Sequence, residues 1–212
     1  MIKILNVVWP SAEQYMFAIE GSRNALSSWD KMDSNIMDTG IDIGPNDEKR
    51  MNKLLKAGPE HRKMIQGLMI GIRIDAPLLW WNEFDTYRIG TVKSSTSTRK
   101  SMLVKDEITA DMFSFEDVYT RGGKELIDST IKHLNFLRDN YLTSNEPEEK
   151  QKIWREMNEL IPKSWNYIRN VFVSFETAIN ICKQRAGHPH PEWKPLIDLF
   201  MSEPWILQAL ET

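Results

Sequence analysis

Basic and hydroxyl side chains alternate along residues 88–101, and together they have the chemistry of a phosphate site. The members are Arg88, Lys93, Arg99 and Lys100, with Thr91, Ser94, Ser95, Thr96, Ser97 and Thr98. An arginine guanidinium donates two parallel hydrogen bonds to phosphate oxygens, and hydroxyl groups satisfy the oxygens that remain. The segment therefore fits a mononucleotide phosphate, although a solvated surface loop has the same composition.

The residues Asn180 and Arg185 form a second candidate site. They close a long segment whose apolar residues recur at helical spacing, and the polar stretch AGHPHPEW follows them. The Arg185 guanidinium could reach past the helix end into a cleft, and it could equally complement the negative end of the helix dipole. Both interpretations remain open from the sequence.

Histidines are few, and they do not form a metal site. His188 and His190 are separated by one proline, but the chain offers no further cysteine or histidine at zinc-ligand spacing, so we predict no metal. His61 follows the Gly58-Pro59 turn, where it would either lie on a helix surface or contact a ligand.

Composition limits the partners that this protein can have. The chain has 212 residues, of which 41% are hydrophobic and 27% charged, which is enough apolar material for a core. Its formal net charge is -3, and a protein that binds the backbone of a nucleic acid polymer needs a basic surface. We therefore expect a small, local phosphate site and no nucleic acid polymer as partner.

The single cysteine and the hydropathy pattern indicate a cytoplasmic protein without membrane contact. Cys182 lies in an apolar helical pattern and has no second cysteine to pair with. The first residues, MIKILNVVW, are too short an apolar run for a signal peptide, and no apolar segment is long enough to span a membrane.

Periodicity and turn residues predict the secondary structure. We expect a loop at 30–46 and strands at 2–8 and 68–74. Helices are expected after the Ser11–Gln14 capping box and at 47–57, 61–66, 123–142, 147–160 and 192–201. The longest pattern, from Trp165 to Cys182, predicts one helix that ends at Gly187. The chain has no internal repeat and no linker.

Two adjacent tryptophans stand just before the hydroxyl-rich segment. Asp75 is expected to cap a helix that has Pro77 in its first turn and carries Trp80, Trp81, Phe84 and Tyr87. The paired indoles would then support the base of the following loop, or one of them would stack on a ligand.

Three blocks of the chain resemble the flavin-dependent thymidylate synthase family, in a diverged form of the kind carried by phages. They are KAGPEHRKMIQGLMIGIRIDAPLLWW, DTYRIGTVKSSTSTRKS and LIPKSWNYIRNVFVSFETAINICKQRAGHPHPEW. They cover roughly residues 54–102 and 160–193, in the family's order along the chain. The implied fold is a mixed α/β (α+β) one, a helix-rich single domain over residues 1–212 around a small mixed or antiparallel sheet.

The family signature is Arg-His-Arg, two residues, Ser, one residue, Asn, two residues, Ser, one residue, Arg. Its final Ser-x-Arg is retained as Ser97 and Arg99, which the resemblance assigns to the substrate nucleotide. The segment Tyr87-Arg88-Ile89 replaces Arg-His-Arg, which leaves Arg88 as the substrate-binding cation there. Ser94 stands at the signature's Asn, a position that contributes to flavin binding.

The third block retains and changes other family positions. The resemblance places Asn180 beside the flavin and Arg185 on the nucleotide, and it matches His61 to a histidine that lies beside the flavin. Ser174 and Glu176 replace an Asn-x-Arg pair. A carboxylate at position 176 would repel a flavin pyrophosphate.

The family's chemistry implies an activity and an assembly. It transfers a one-carbon unit from methylenetetrahydrofolate to carbon 5 of deoxyuridylate, with FAD reduced by NADPH as the hydride donor. It needs no cysteine nucleophile, and its homotetramers share active sites between subunits. For this chain the resemblance implies Arg185 and Ser97 as catalytic candidates, with Ser97 expected to hydrogen-bond a phosphate because no paired base is apparent near it.

The changed positions leave three functions open. The first is methylation or hydroxymethylation of a uracil or cytosine deoxynucleotide. The second is a nucleotide-binding regulatory protein that has lost flavin and catalysis, and the third is a structural oligomer without a nucleotide site. Bound flavin distinguishes the first from the second.

Overall fold

The computed structural model describes residues 2–97, 103–189 and 191–211. The strands are β1 (Lys3–Val8), β2 (Asn35–Met37), β3 (Gly40–Asp42), β4 (Met69–Pro77), β5 (Thr91–Ser95) and β6 (Asn166–Ser174). The helices are α1 (Ala12–Arg23), α2 (Pro45–Lys56), α3 (Leu78–Phe84), α4 (Arg121–Thr143), α5 (Pro147–Leu160), α6 (Phe175–Arg185), α7 (Lys194–Met201) and α8 (Pro204–Leu210). The expected mixed α/β class is confirmed.

Two sheets are present among the described residues. Four strands form one sheet in the order β1-β4-β6-β5, and β2 pairs antiparallel with β3. This hairpin lies in the segment predicted to be a loop. Each of its strands has only three residues, which is too short for an alternating pattern to be recognised.

Local signals predicted several elements well. The capping box at α1 is confirmed, because the Ser11 hydroxyl accepts from the Gln14 backbone while the Gln14 side chain accepts from the Ser11 backbone. Helix α5 has the predicted bounds, and α4 extends the predicted helix by two residues at its start and one at its end. The predicted helix at 61–66 is a single 3-10 turn, Lys63–Ile65.

The predicted helix from Trp165 onward was wrong in its first half. Residues 166–174 form strand β6, and only 175–185 are helical. In β6 the buried Val171 and Val173 alternate with the exposed Asn170 and Phe172. This period of two is that of a strand with one buried face. The helix was predicted because apolar residues of the segment also recur at spacings of three and four.

The predicted cap at Asp75 was also wrong. Asp75 and Pro77 belong to β4, and α3 begins only at Leu78. The first two backbone N–H groups of α3 donate to the carbonyls of Trp165 (3.0 Å) and Lys163 (2.9 Å), so the helix needs no side-chain cap. Because α3 ends at Phe84, Tyr87 lies beyond the helix on which it was predicted.

The described chain divides into two compact units. The larger consists of 2–74, 86–93 and 170–211, and the smaller of 75–85, 94–97 and 103–169. In the larger unit α6 packs against α7 and α8, and α8 packs against α2. Its core includes the fully buried Ile19, Leu55, Ile70, Phe175, Ile179 and Phe200. The single-domain assignment stays a prediction.

The smaller unit buries the paired tryptophans. Helices α4 and α5 pack together over a core that contains Leu134, Leu137, Met157 and Trp165. Trp80 and Trp81 are both buried, and the Trp81 indole N–H donates to the Tyr167 carbonyl at 3.0 Å. The two tryptophans therefore belong to the hydrophobic core of the smaller unit.

Arginine 169 adds a charged partner to this aromatic core. Its guanidinium lies 4.5 Å from the centre of the Trp81 ring and donates to both carboxylate oxygens of Asp85, at 3.1 and 3.0 Å. The contacts combine a cation–π interaction with an ion pair, and they hold Asp85, the residue that follows α3, against strand β6.

A buried carboxylate ties the start of α2 to the segment before it. The Asp47 carboxylate accepts from the Arg23 guanidinium (2.7 Å), from the Ser34 hydroxyl (2.8 Å) and from the backbone N–H groups of Asp33 and Ser34. Burial by itself raises the pKa of Asp47, but these hydrogen bonds outweigh it and lower the pKa below the ordinary value.

Replacing Asp47 with asparagine is expected to lower the free energy of unfolding by about 3 kcal/mol at neutral pH, because it leaves the buried Arg23 without its counter-ion. A depressed folded-state pKa stabilises the fold above the unfolded value of about 4, and that contribution is lost as the pH falls through the folded value. The difference in the free energy of unfolding between wild type and Asp47→Asn, measured by urea titration, should thus become smaller below about pH 4.

The matched control is Asp38→Asn, which changes an exposed aspartate in the turn between β2 and β3. It should leave stability nearly unchanged at every pH. A wild-type stability that stays constant down to strongly acidic pH would contradict the role given to Asp47.

No helix in the described ranges is long and apolar enough to cross a membrane.

Candidate active site

A cavity of about 800 Å³ opens beside helix α6 in the larger unit. We call it the α6 cavity. It is lined by Gln66, Thr86, Tyr87, Arg88, Ile89, Gly90, Ser174, Glu176, Thr177, Asn180 and Gln184. The wall thus combines side-chain amides and hydroxyls with one cation and one carboxylate, which suits a polar heterocyclic ligand better than a purely apolar one.

The segment 86–90 is anchored to the start of α6. The backbone N–H of Ser174 donates to the Gly90 carbonyl (2.8 Å), and the Thr177 hydroxyl donates to the Ile89 carbonyl (2.8 Å). The Ser174 hydroxyl caps the helix by accepting from the Thr177 backbone. These bonds fix one wall of the cavity and with it the position of Arg88.

Glycine is required at position 90 for two reasons. Its φ of +69° lies in the left-handed region, and a Cβ atom there would lie 2.4 Å from the Ser174 hydroxyl oxygen and 2.6 Å from that of Thr177. The close approach is what allows the segment to sit directly on the helix end.

The carboxylate of Glu176 is neutralised by Arg62. The Arg62 guanidinium donates to both Glu176 oxygens at 2.7 and 2.9 Å, and its remaining branch donates to the Leu55 carbonyl at 3.0 Å. The side chains are only 3% and 13% exposed, respectively. The acidic residue at position 176 therefore does not present an unbalanced charge to a ligand. Arg62 is not among the residues predicted from the sequence, because no local pattern places it beside Glu176, 114 residues away.

The Arg185 guanidinium is held between two aromatic residues at the end of α6. It lies 4.6 Å from the centre of the Trp193 ring and 5.8 Å from that of Tyr87. Its Nε donates to the Tyr87 hydroxyl at 3.1 Å, and that hydroxyl donates to the Gln184 side-chain carbonyl at 3.0 Å. Arg185 thus has a fixed side chain next to two residues of the cavity wall, Tyr87 and Gln184.

The other candidate residues occupy different places. Arg88 and Asn180 both line the α6 cavity, whereas His61 is exposed and lies 3.6 Å from the Glu60 carboxylate. Ser94 and Ser97 belong to the smaller unit, where Ser94 is an exposed residue of β5. Arg99, Lys100 and His190 lie outside the described residues.

The single cysteine is not suited to nucleophilic chemistry. Cys182 is buried in α6, and burial raises the pKa of its thiol to about 11. Very little thiolate is present at neutral pH as a result. Within the described ranges, no group of three or more His, Cys, Asp or Glu side chains is arranged to hold a metal ion.

The sequence matches no protein-family model and no curated protein. Solved structures, however, match it over nearly its whole length. Thymidylate synthase X from Helicobacter pylori, solved with FAD and dUMP, superimposes with a TM-score of 0.65 at 16% identity, covering 99% of this chain and 95% of the other.

The chain has the fold of flavin-dependent thymidylate synthases. A second Helicobacter pylori structure of this enzyme, complexed with FAD and dUMP, gives a TM-score of 0.66 at 16% identity and covers 99% of this chain and 96% of that one. The UMP/dUMP methylase PolB from Streptomyces cacaoi, bound with 5-Br dUMP, gives 0.62 at 11% identity and covers 100% and 94%. The fold that the three sequence blocks implied is therefore present, while the identities are too low to carry an activity across.

Proposed function

We propose that this protein is a cytoplasmic, flavin-dependent enzyme that methylates or hydroxymethylates carbon 5 of a pyrimidine deoxynucleoside monophosphate, with a one-carbon unit from methylenetetrahydrofolate and with NADPH as the reductant. The observation that carries the proposal is the α6 cavity, which Arg88 and Asn180 both line, in a chain with the thymidylate synthase X fold. The three structural neighbours are enzymes that act on this class of nucleotide.

The wall of the α6 cavity fits the ring system of a flavin. Its volume is in the range of cofactor pockets, and Gln66, Asn180 and Gln184 offer both donors and acceptors to a ring edge that carries N–H, carbonyl and ring-nitrogen groups. A reduced flavin bound there would supply a hydride to the nucleotide base. The neutralised Glu176 removes the repulsion that its carboxylate alone would cause.

The chain's own residues would bind and orient the nucleotide. Arg88, on the cavity wall, offers a charged donor to a phosphate, and the guanidinium of Arg185 can hold a phosphate or polarise a base oxygen. Ser97 and Arg99 stand at the Ser-x-Arg of the family signature, and we assign them to the nucleotide as well. Hydrogen bonds that fix a base beside its hydride donor lower the entropic part of the barrier.

We further propose that the protein assembles as a homotetramer, like the phage-type enzymes that its sequence resembles. The larger unit exposes apolar side chains on its strands, including Val8 in β1, Val92 in β5 and Phe172 in β6. A Cβ at Gly71 would lie 3.2 Å from the Phe172 ring and 3.4 Å from Val8 Cβ, so these two exposed side chains approach each other across Gly71 of β4. Exposed apolar patches of this kind are typical of protein interfaces.

The absorbance spectrum of the purified protein tests the proposal. A flavin band should remain with the protein or develop on adding FAD, and it should shift on adding either deoxyuridylate or deoxycytidylate, which identifies the base. Turnover with methylenetetrahydrofolate and NADPH then identifies the transferred group. Light scattering on the same sample measures the assembly state.

The second candidate is a nucleotide-binding regulatory protein without catalysis. It is favoured by Glu176 in the cavity wall and by the segment Tyr87-Arg88-Ile89, which both depart from the family pattern. A colourless protein that does not bind FAD but binds a pyrimidine nucleotide, as followed by tryptophan fluorescence, would exclude the flavin-dependent activity and leave this function.

A further inference from the structure

The contacts of Arg185 form a connected cluster, which we call the Arg185 cluster and which consists of Tyr87, Gln184, Arg185 and Trp193. Trp193 is buried, and its ring supports the guanidinium from one side. The Tyr87 hydroxyl accepts from Arg185 Nε and donates its own hydrogen bond to the Gln184 side chain. The rings of Tyr87 and Trp193 are themselves in edge contact, 6.0 Å apart at an angle of 72°.

This arrangement removes the freedom that an arginine side chain normally has. A long side chain loses rotamer entropy when it binds a ligand, and a side chain that is held beforehand loses less of it. Here the Trp193 ring lies 4.6 Å from the Arg185 guanidinium and the Tyr87 hydroxyl accepts from its Nε at 3.1 Å, so two contacts restrict the side chain. Cation–π contact and a charged hydrogen bond are both suited to this task.

We infer that Tyr87 is a positioning residue, which holds Arg185 in the conformation that binds the nucleotide. The inference rests on the proposed function, because it takes Arg185 to contact the nucleotide. Tyr87 also lines the α6 cavity, so its hydroxyl links the cavity wall to the guanidinium. Tyr87 stands at the first position of the family's Arg-His-Arg segment, and it would act on the nucleotide only indirectly, by holding Arg185.

The test compares Tyr87→Phe with Arg185→Gln, using three probes: deoxyuridylate, deoxyuridine, which lacks the phosphate, and 2-deoxyribose 5-phosphate, which lacks the base. Calorimetry gives the dissociation constant of each. Arg185→Gln should raise the dissociation constant about a hundredfold for the two probes that carry the group which Arg185 contacts, either the phosphate or the base. Tyr87→Phe should weaken the same probes by about tenfold and leave the remaining one unchanged.

Thermal unfolding and the exposed Tyr119 provide the controls. Tyr119→Phe makes the same chemical change at a position that is 86% exposed, and it should leave all three constants unchanged. Tyr87→Phe keeps the ring that packs on Trp193, so the unfolding temperature should stay within about 2 °C of wild type.

Each other outcome overturns a different statement. A wild-type protein that binds none of the probes contradicts the proposed function itself. Wild-type binding that Arg185→Gln leaves intact overturns the assignment of Arg185 to the nucleotide and with it the positioning role of Tyr87. Binding that Tyr87→Phe leaves intact while Arg185→Gln abolishes it overturns the positioning role alone. Equal weakening of all three probes by Tyr87→Phe, with a lower unfolding temperature, would make Tyr87 a structural residue.

Discussion

Replacing Arg62 with methionine is expected to lower the free energy of unfolding by about 3–5 kcal/mol, because it leaves the carboxylate of Glu176 buried without its counter-ion. The two side chains are joined by two short hydrogen bonds and are largely excluded from water. Methionine fills much of the same space, so the effect reports the lost charge more than a cavity. Urea denaturation at neutral pH measures it.

A double mutant and an exposed ion pair make the result specific. Adding Glu176→Gln to Arg62→Met removes the unpaired charge and should restore a large part of the lost stability. Arg121→Met breaks the pair between Arg121 and Glu125, whose side chains are 93% and 63% exposed, and should cost less than about 0.5 kcal/mol. An Arg62→Met protein as stable as wild type would show that the pair contributes nothing to the fold.

The same substitution should also weaken the binding of an anionic ligand. Glu176 lines the α6 cavity, and without Arg62 its charge would face any anionic ligand that enters. FAD should therefore bind the folded Arg62→Met protein more weakly than it binds the Arg62→Met/Glu176→Gln protein. Equal affinities for the two variants would contradict an electrostatic role for the pair.

Replacing Gly90 with alanine is expected to cost about 3 kcal/mol of stability and to abolish ligand binding in the α6 cavity. An alanine at a φ of +69° costs about 1–2 kcal/mol, and its Cβ would clash with the hydroxyl oxygens of Ser174 and Thr177. Relieving that clash breaks the bonds that hold the segment 86–90 on α6, at about 1 kcal/mol each. Thermal unfolding and an FAD titration measure the two effects.

Gly187→Ala is the matched control. Among the described residues, no atom beyond its chain neighbours lies within 4 Å of the place that a Cβ of residue 187 would occupy, and its backbone is not left-handed. The substitution should leave both stability and ligand binding close to wild type. Retained FAD or nucleotide binding in Gly90→Ala would mean that the anchored segment does not form part of the site.

Local chemistry was sufficient to predict the elements whose signals lie within a few residues of each other. The Ser11–Gln14 capping box, the Pro147 start of α5 and the long apolar repeat of α4 are such signals. The candidate residues Arg88 and Asn180 were also recognised from the sequence, because residue type and spacing carried the resemblance. Strand β6 was not recognised, since its apolar residues Ile168, Val171 and Phe172 also satisfy helical spacing.

The charged and aromatic partners of Glu176 and Arg185 became known only from the tertiary structure. Arg62 meets Glu176 across 114 residues of sequence, and Arg185 meets Tyr87 across 98. No local pattern reports such pairs, because their proximity depends on the packing of distant segments within the larger unit. The sequence by itself therefore determined the fold class and two residues of the cavity wall. Only the folded chain decided which residue neutralises Glu176 and which aromatic residues hold Arg185, because those contacts form between side chains that are distant in sequence.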